Sequence, residues 1–399
     1  MLVLQALLMV YESSESLKDR FTLAREALIE MFPGARRPGE TYQGFIKAQN
    51  RVPVQAQETL REHLRGHHRR VAGPRWQRNG WVPIACDGSR VELPRTAANE
   101  RAFGCAGRSK TTPQLFVTTL YHLGTGLPWD WRIGAGTESE RDHLRMMLAS
   151  LPPGALIVAD AGFTGYDLMQ EILARGLSFL IRVGSNVTLL TELGIAIKSE
   201  PDGVWLWPQA KQNDHRPLHL RLIRVPGREI GAKEGMYLLT NVFDRQRLSN
   251  ALAVEFYGLR WGVEVFYRSY KQTLEQRKLR SDAPETAQWE LFWGMTALLL
   301  LGLMSVGPAV LRGDDPLKLS VAEGLRIIRR AMRTSACWRR RGDLRTLLGS
   351  ARHDGYERRA DKKARDWPHK KNEQPPGTPK LRPATKAENL RAQRINEAA

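Results

Sequence analysis

Between Leu248 and Leu274 the apolar residues fall on one line. Leu252, Phe256, Leu259, Val263, Phe266, Tyr270 and Leu274 follow one another at spacings of 4, 3, 4, 3, 4 and 4. At 3.6 residues per turn this is a continuous apolar stripe, and it predicts one long helix over Leu248–Leu274. A second row, Tyr257, Arg260, Glu264, Arg268 and Lys271, has spacings of 3, 4, 4 and 3. It runs about one residue step around the same helix, over about 20 Å at 1.5 Å per residue. It carries one carboxylate amid cations. Two readings stay open: an amphipathic helix with salt bridges from Glu264 to Arg260 and Arg268, or a metal-binding carboxylate flanked by groups that grip phosphates.

The pattern elsewhere alternates between the two periods. Residues from about 13 to 72 read as helical and basic, with Arg51, Arg61, Arg65, Arg69 and Arg70 toward the end and Gly73-Pro74 as punctuation. Trp81–Ala85 reads as a strand, with Val91–Leu93 pairing to it after a turn at Gly88-Ser89. Gln114–His122 is a further strand, and Glu138–Leu151 a helix stopped by Pro152-Pro153. Ala155–Ala159 is a buried-type strand, Tyr166–Ala174 a helix closed by Gly176, and Leu177–Val183 a strand. Helices are predicted over Pro284–Gly307 and Ser320–Leu348. The expected organisation is an N-terminal helical region over 1–75 and a mixed α/β core in two parts, 76–183 and 243–350. A β-rich insertion over 184–242 interrupts the core, and a flexible basic tail follows over 351–399, too polar to bury much surface.

Charge sharpens this picture. The 399 residues suffice for two or three structural units. Lys plus Arg is 61 against 42 for Asp plus Glu, a net +19, with a pI near 10.2. Such a surplus attracts polyanions, nucleic acid before an anionic membrane. Cys86, Cys105 and Cys337 stand far apart, with no CxxC pair and an odd count, which fits a reduced compartment and no disulfide framework. His63 and His67 are spaced as helical metal ligands but lie in a basic stretch without an acidic or Cys partner, so a solvated cationic face is the expectation. Met1–Val10 lacks the basic opening of a signal peptide. Leu291–Leu311 is uncharged and long enough to span a bilayer. It also holds Gly294, Gly302, Gly307 and Pro308 in an otherwise highly charged chain, and is read as a helix buried on all sides. GCAGRSK from Gly104 lacks phosphate-loop spacing.

Two acids close apolar runs. Asp87 follows Val82-Pro83-Ile84-Ala85-Cys86, and Asp160 follows Leu156-Ile157-Val158-Ala159, each before a glycine-containing turn. Either is a turn residue or an acid projecting from the carboxyl edge of a sheet, where ligands bind. Beside them, the segment YGLRWGVEVFYRSYK has Tyr257, two residues, Arg260, three residues, Glu264, six residues, then Lys271. This matches the signature of the IS-four family of bacterial DDE transposases without a gap. DGSRVELP from Asp87 resembles that family's first-aspartate segment, and ADAGFTGYDLMQEILARGLSFLIR, holding Asp160, its second. The family usually has Arg before Gly-Phe there, where this chain has Ala161. The resemblance covers roughly Trp81 to Leu274.

The resemblance implies an RNase H-like fold for the α/β core, with Asp87, Asp160 and Glu264 as ligands of two Mg²⁺ ions, for which Mn²⁺ substitutes. Two such ions activate the attacking oxygen and stabilise the leaving one at phosphorus, and Mg²⁺ prefers oxygen donors. Tyr257, Arg260 and Lys271 would contact the DNA backbone; Arg268 lies on the row but outside the signature, and either touches DNA or pairs with an acid. The implied activity is cleavage at transposon ends and strand transfer into target DNA, by a homodimer on DNA in the cytoplasm at the nucleoid, with no membrane. End recognition falls to the N-terminal helices. The basic stretches His63–Arg78, Arg326–Arg341 and the tail would add salt-dependent affinity. Trp205 and Trp207 alternate, as core aromatics or as a base-stacking pair. A domesticated DNA-binding relative without catalysis, and a stand-alone nuclease of the same fold, are the alternatives.

Overall fold

Strands form in chain order as β1 Val82–Glu92, β2 Gln114–His122, β3 Leu127–Ala135, β4 Ala155–Ala159, β5 Ser178–Val183, β6 Thr188–Leu190, β7 Gly203–Leu206, β8 Leu218–Val225, β9 Met236–Thr240 and β10 Lys380–Arg382. The structure is a computed structural model, and it describes residues 1–106, 111–195, 200, 202–230, 235–333, 341–352 and 376–397. It is a mixed α/β protein. The chain divides into two units: Met1–Trp76, Asp87–His143 and Gly262–Tyr356 in the first, Gln77–Cys86, Leu144–Trp261 and Glu357–Ala399 in the second.

The first unit is built on the helix Pro284–Leu311. Proline at its first turn suits a position whose N–H would have no partner. The helix is long and apolar enough to cross a membrane, yet two thirds of that apolar stretch is buried, against the helices Leu2–Tyr11 and Val54–Ala72 and strand β3. The Tyr11 hydroxyl donates to the Ala297 carbonyl at 2.8 Å. The glycines of this stretch are contacts as well as breaks: a Cβ on Gly294 would stand 2.7 Å from Cε2 of Tyr270. The stretch expected to be a buried helix is largely so, with Leu311 exposed at its end.

The hairpin β2–β3 runs antiparallel from Leu115↔Ala135 to His122↔Leu127, with a bulge at Leu120/Tyr121. The helix Val54–Ala72 docks on it through charge. Asp130 accepts from Arg61 and Arg65, each at 2.9 Å, with its side chain only 6% exposed. One buried carboxylate shared by two guanidiniums is costly to break from one side. One turn further on, His68 Nε2 lies 2.7 Å from Thr125 Oγ1, which is 2.8 Å from His122 Nδ1. His122 Nε2 donates to the Trp76 carbonyl at 3.0 Å. The basic helix is thus two-sided, with Arg69 and Arg70 exposed and Arg61, Arg65 and His68 turned to the hairpin.

In the second unit β1, β4 and β5 are parallel, in the register Val82↔Ala155 to Ala85↔Val158 and Leu156↔Ser178 to Ala159↔Ile181. Every residue of β4 is buried, as a strand covered on both faces requires. The helix Tyr166–Ala174 links β4 to β5, and Gly176 leaves it at φ +67°. Then β9, β8, β7 and β6 add antiparallel, and β10 closes the order parallel to β6. All of β6–β9 lie in the stretch expected to be β-rich.

Three expectations need correction. No turn separates Trp81–Ala85 from Val91–Leu93: β1 is one strand running straight through Asp87-Gly88-Ser89, so Asp87 lies within a strand and not at its end. The single helix Leu248–Leu274 is three pieces, Asn250–Leu259, Gly262–Arg268 and a π-helical turn Ser269–Thr273. Its ladder tightens at the first break, where Trp261 N–H reaches Gly258 O at 3.3 Å, and loosens at the second, where Leu274 N–H reaches Ser269 O at 3.0 Å. Gly258 and Gly262 flank the first break, and glycine weakens helices. Within Ser320–Leu348 the described residues are helical over Val321–Arg333 and Arg341–Gly349; residues 334–340, Cys337 among them, lie outside the described residues, as do 107–110 of GCAGRSK. Part of the expected flexible tail is ordered, as β10 and the helix Lys386–Glu397. There Glu388 accepts from Arg382 at 2.8 and 2.7 Å, from the Thr385 N–H at 2.8 Å and from Gln212 at 3.0 Å. Local pairing of that kind replaces the apolar surface the segment lacks. Residues 353–375 lie outside the described residues.

Burial holds both imidazoles of the hairpin joint neutral, pulling His122 down to about 4 and His68 well below its ordinary value. A lowered folded-state value stabilises the protein above the unfolded value of about 6.5, and that contribution is lost as pH falls toward the folded one. The urea midpoint is therefore expected to drop between about pH 7 and pH 4.5, and to drop less in His122→Gln. Equal slopes in the two proteins would exclude the imidazole as the cause.

Candidate active site

In the first unit, β1 and the helix Gly262–Arg268 are held together. Asp87 is half-buried and its Oδ1 accepts from the Gly88 N–H at 2.9 Å. The Tyr267 hydroxyl donates to the Asp87 carbonyl at 2.9 Å. Tyr267 stands three residues after Glu264, so the two are neighbours on one helix face. Glu264 is half-buried in the first turn of that helix. Further along, Lys271 Nζ donates to Ser89 Oγ at 2.8 Å. Burial and the nearby Arg277 lower the Lys271 pKa, against the opposing pull of Glu92. The structure therefore brings three of the sequence-predicted elements together here: the Asp87 segment, the Glu264 helix and the Lys271 ammonium.

Room at Gly88 lets this happen. A Cβ there would stand 2.5 Å from Cζ of Phe116 and 2.8 Å from Oε1 of Glu140. The Phe116 ring is capped by the Arg90 guanidinium at 4.9 Å from its centroid. Neither Tyr267 nor Glu140 belongs to the signature. Tyr267 could have been found from its spacing to Glu264; nothing in the sequence marks Glu140 as a neighbour of residue 88.

Asp160, Tyr257 and Arg260 belong to the second unit. Asp160 directly follows β4, two residues past the paired Val158. Its Oδ1 accepts from the Gly162 N–H at 2.8 Å, so it caps the turn it was expected to start while remaining at the carboxyl end of its strand. Arg260 is 9% exposed, with its guanidinium 5.4 Å from the Tyr257 ring centroid. The helix carrying both is capped by Ser249, and it is tied to the start of β1 by the Arg78–Glu255 ion pair and by Arg247 4.1 Å over the Trp81 ring. Arg268, on the first unit's helix, is exposed.

Trp205 and Trp207 are buried at 7% and 3% exposure. Trp205 stacks on His219 at 4.3 Å, and Trp207 Nε1 donates to the His215 carbonyl at 2.8 Å. They are core aromatics.

Carboxylates are hard oxygen donors of the kind Mg²⁺ takes, and a cation such as Lys271 beside them suits a phosphate-bearing substrate. In donor type, Asp87, Asp160 and Glu264 fit that ion. Among the described residues no three His, Cys, Asp or Glu side chains are gathered closely enough to hold a metal by themselves. Mg²⁺ is usually bound by one or two carboxylates plus substrate phosphates, and needs no ready-made cage.

The molecule is a mixed α/β protein in which Asp87 lies within one parallel strand, Asp160 directly follows another, and Glu264 stands on a helix. Residues 82–300, more than half of the chain, match the family described as the transposase DDE domain, and the chain belongs to that family. It is 24% identical over 322 residues to the transposase InsG for insertion sequence element IS4 of Escherichia coli (strain K12), a match covering 76% of this chain and 70% of that one. The resemblance to the IS-four family read from the signature therefore holds. The protein y4zB of Sinorhizobium fredii (strain NBRC 101917 / NGR234), named as a candidate transposase, is 29% identical over 159 residues, 38% of this chain and 43% of its own. Among solved structures, the piggyBac transposase synaptic complex with hairpin DNA matches with a TM-score of 0.39 at 14% identity, over 73% of this chain and 62%, less than two thirds, of that chain.

Gly88→Ala is expected to cost about 1–3 kcal/mol of stability, because the Phe116 ring and the Glu140 carboxylate both stand in the way of the methyl group. Chemical denaturation measures this. An unchanged midpoint would mean that the ring gives way freely and that the close approach at residue 88 is not a constraint.

Proposed function

We propose that the chain is a DNA transposase that cuts at the ends of its element and joins them to target DNA, with Asp87, Asp160 and Glu264 as ligands of divalent metal. The observation that carries this reading is the pinning of the Glu264 helix to the Asp87 strand, in a chain that belongs to the transposase DDE domain family. Two bound Mg²⁺ ions would supply activation of the attacking oxygen and charge relief at the leaving one. The chain's own groups have separate tasks. Lys271, anchored on Ser89, presents a fixed cation beside the acids. Arg260 and Tyr257 would grip the backbone near the scissile phosphate, Arg as a planar fork and Tyr through its hydroxyl. Such contacts place DNA without reading its sequence.

The remaining parts of the reading follow from charge and resemblance. A surplus of +19 favours DNA as the partner. The core is read as RNase H-like, interrupted by the β-rich insertion, with end recognition by the N-terminal helices and two copies bridging two ends. A relative that binds DNA without cutting it, and a nuclease that cuts without joining, remain as outcomes of the test.

The test supplies the protein in trans to its native flanking DNA on a plasmid in cells and compares wild type with Glu264→Gln. Excision by the wild type is expected to fall by more than about 100-fold in the variant, since even groups that merely support metal ligands cost about 10–100-fold. Equal excision by both removes Glu264 from the reaction. Salt-sensitive binding with no cutting by either, under Mg²⁺ or Mn²⁺, makes the chain a DNA-binding relative. Cutting without joined products makes it a nuclease. Separately, Lys271→Ala is expected to weaken DNA binding about equally across sequences and to reduce the salt slope by about 1; an unchanged slope would place Lys271 away from phosphate.

A further inference from the structure

We propose that Tyr267 is a positioning residue, setting the distance between the Asp87 strand and the Glu264 helix and thereby the affinity of these acids for a divalent cation. The proposal rests on the metal-dependent reading above and adds a residue outside the signature. The Tyr267 hydroxyl is buried and lies 2.9 Å from the Asp87 carbonyl, 3.1 Å from the Val117 carbonyl and 2.9 Å from Thr119 Oγ1. A phenol has one proton to give and can also accept. It therefore donates to one of the two carbonyls at a time, while the Thr119 hydroxyl donates to it. The Asp87 backbone and strand β2 meet on one oxygen, and that oxygen belongs to the helix that carries Glu264.

The second tie makes this a clamp. Lys271, four residues along from Tyr267, holds Ser89, two residues along from Asp87. Two bonds one helical turn apart fix both the height and the rotation of the helix against the strand. Carboxylates brought near one another repel until a cation joins them, so their spacing has to come from the scaffold and not from the acids. Groups that orient metal ligands in this way typically contribute about 10–100-fold to affinity. The ring of Tyr267 also packs on Phe266, centroids 5.7 Å apart. Phenylalanine would keep that packing and lose only the tie.

The test uses the full chain without DNA, with Mn²⁺ as the probe and free Mn²⁺ read by electron paramagnetic resonance. Tyr267→Phe is expected to bind Mn²⁺ about 10–100-fold more weakly than wild type, with an unchanged far-ultraviolet dichroism spectrum. Thr119→Val, which removes the group that orients the phenol, is expected to shift affinity in the same direction by less. It carries the test if Tyr267→Phe does not fold. Wild-type affinity in the folded variants, alongside loss of binding in Glu264→Gln, overturns the positioning role and leaves the metal reading standing. No binding by wild type, or none lost in Glu264→Gln, overturns the metal reading and this proposal with it.

Discussion

An unbroken strand through Asp87-Gly88-Ser89 is the constraint on which the site depends. Asp-Gly-Ser is turn-forming chemistry, and left to local preference it would fold β1 back on itself. Pairing overrides it. Val82–Ala85 are bonded to β4, and the segment beyond is held by tertiary contacts: Tyr267 on the Asp87 carbonyl, Lys271 on Ser89, the Phe116 ring over Gly88. With the strand straight, Asp87 and Ser89 point to one face, two residues apart. The Glu264 helix is anchored to this segment at the Asp87 carbonyl and the Ser89 hydroxyl. A turn at Gly88 would have sent one of the two anchors elsewhere.

The same economy of buried polar groups recurs away from the site. Asp130 takes two arginines, and two neutral imidazoles share one threonine hydroxyl. These contacts dock the basic N-terminal helix on the β2–β3 hairpin beside the Trp129 and Trp131 rings. They are specific, because a shifted register would leave a buried charge alone.

Much of the fold was legible because its periodicity is local. The strands Gln114–His122 and Ala155–Ala159 and the helix Tyr166–Ala174 stand at the bounds their patterns predict, since each apolar run is bounded by strong punctuation. What escaped was decided by partners distant in sequence. The apolar stripe from Leu252 to Leu274 was read correctly as a buried face, with Phe256, Val263, Phe266, Tyr270 and Leu274 all buried. The breaks in the helix ladder leave no trace in spacing, because the stripe continues across them. The sequence singles out the three acids and the signature cations as candidates. Tyr267 is not among them, because a tyrosine within an apolar stretch looks like packing until its hydroxyl is seen to reach a carbonyl 180 residues away.

Net charge and the placement of charge are separate properties of this chain. Ion pairing leaves net charge unchanged, so a surplus of +19 survives any number of internal ion pairs. Structure decides where the surplus faces. On the helix Val54–Ala72, Arg61 and Arg65 are spent on Asp130, while Arg69 and Arg70 remain exposed. In the C-terminal segment Arg382 is spent on Glu388, whose carboxyl is held well below its ordinary value chiefly by that guanidinium. A basic stretch is therefore not a uniform grip on DNA. Its inward cations hold the protein to itself, while Arg69 and Arg70 face solvent.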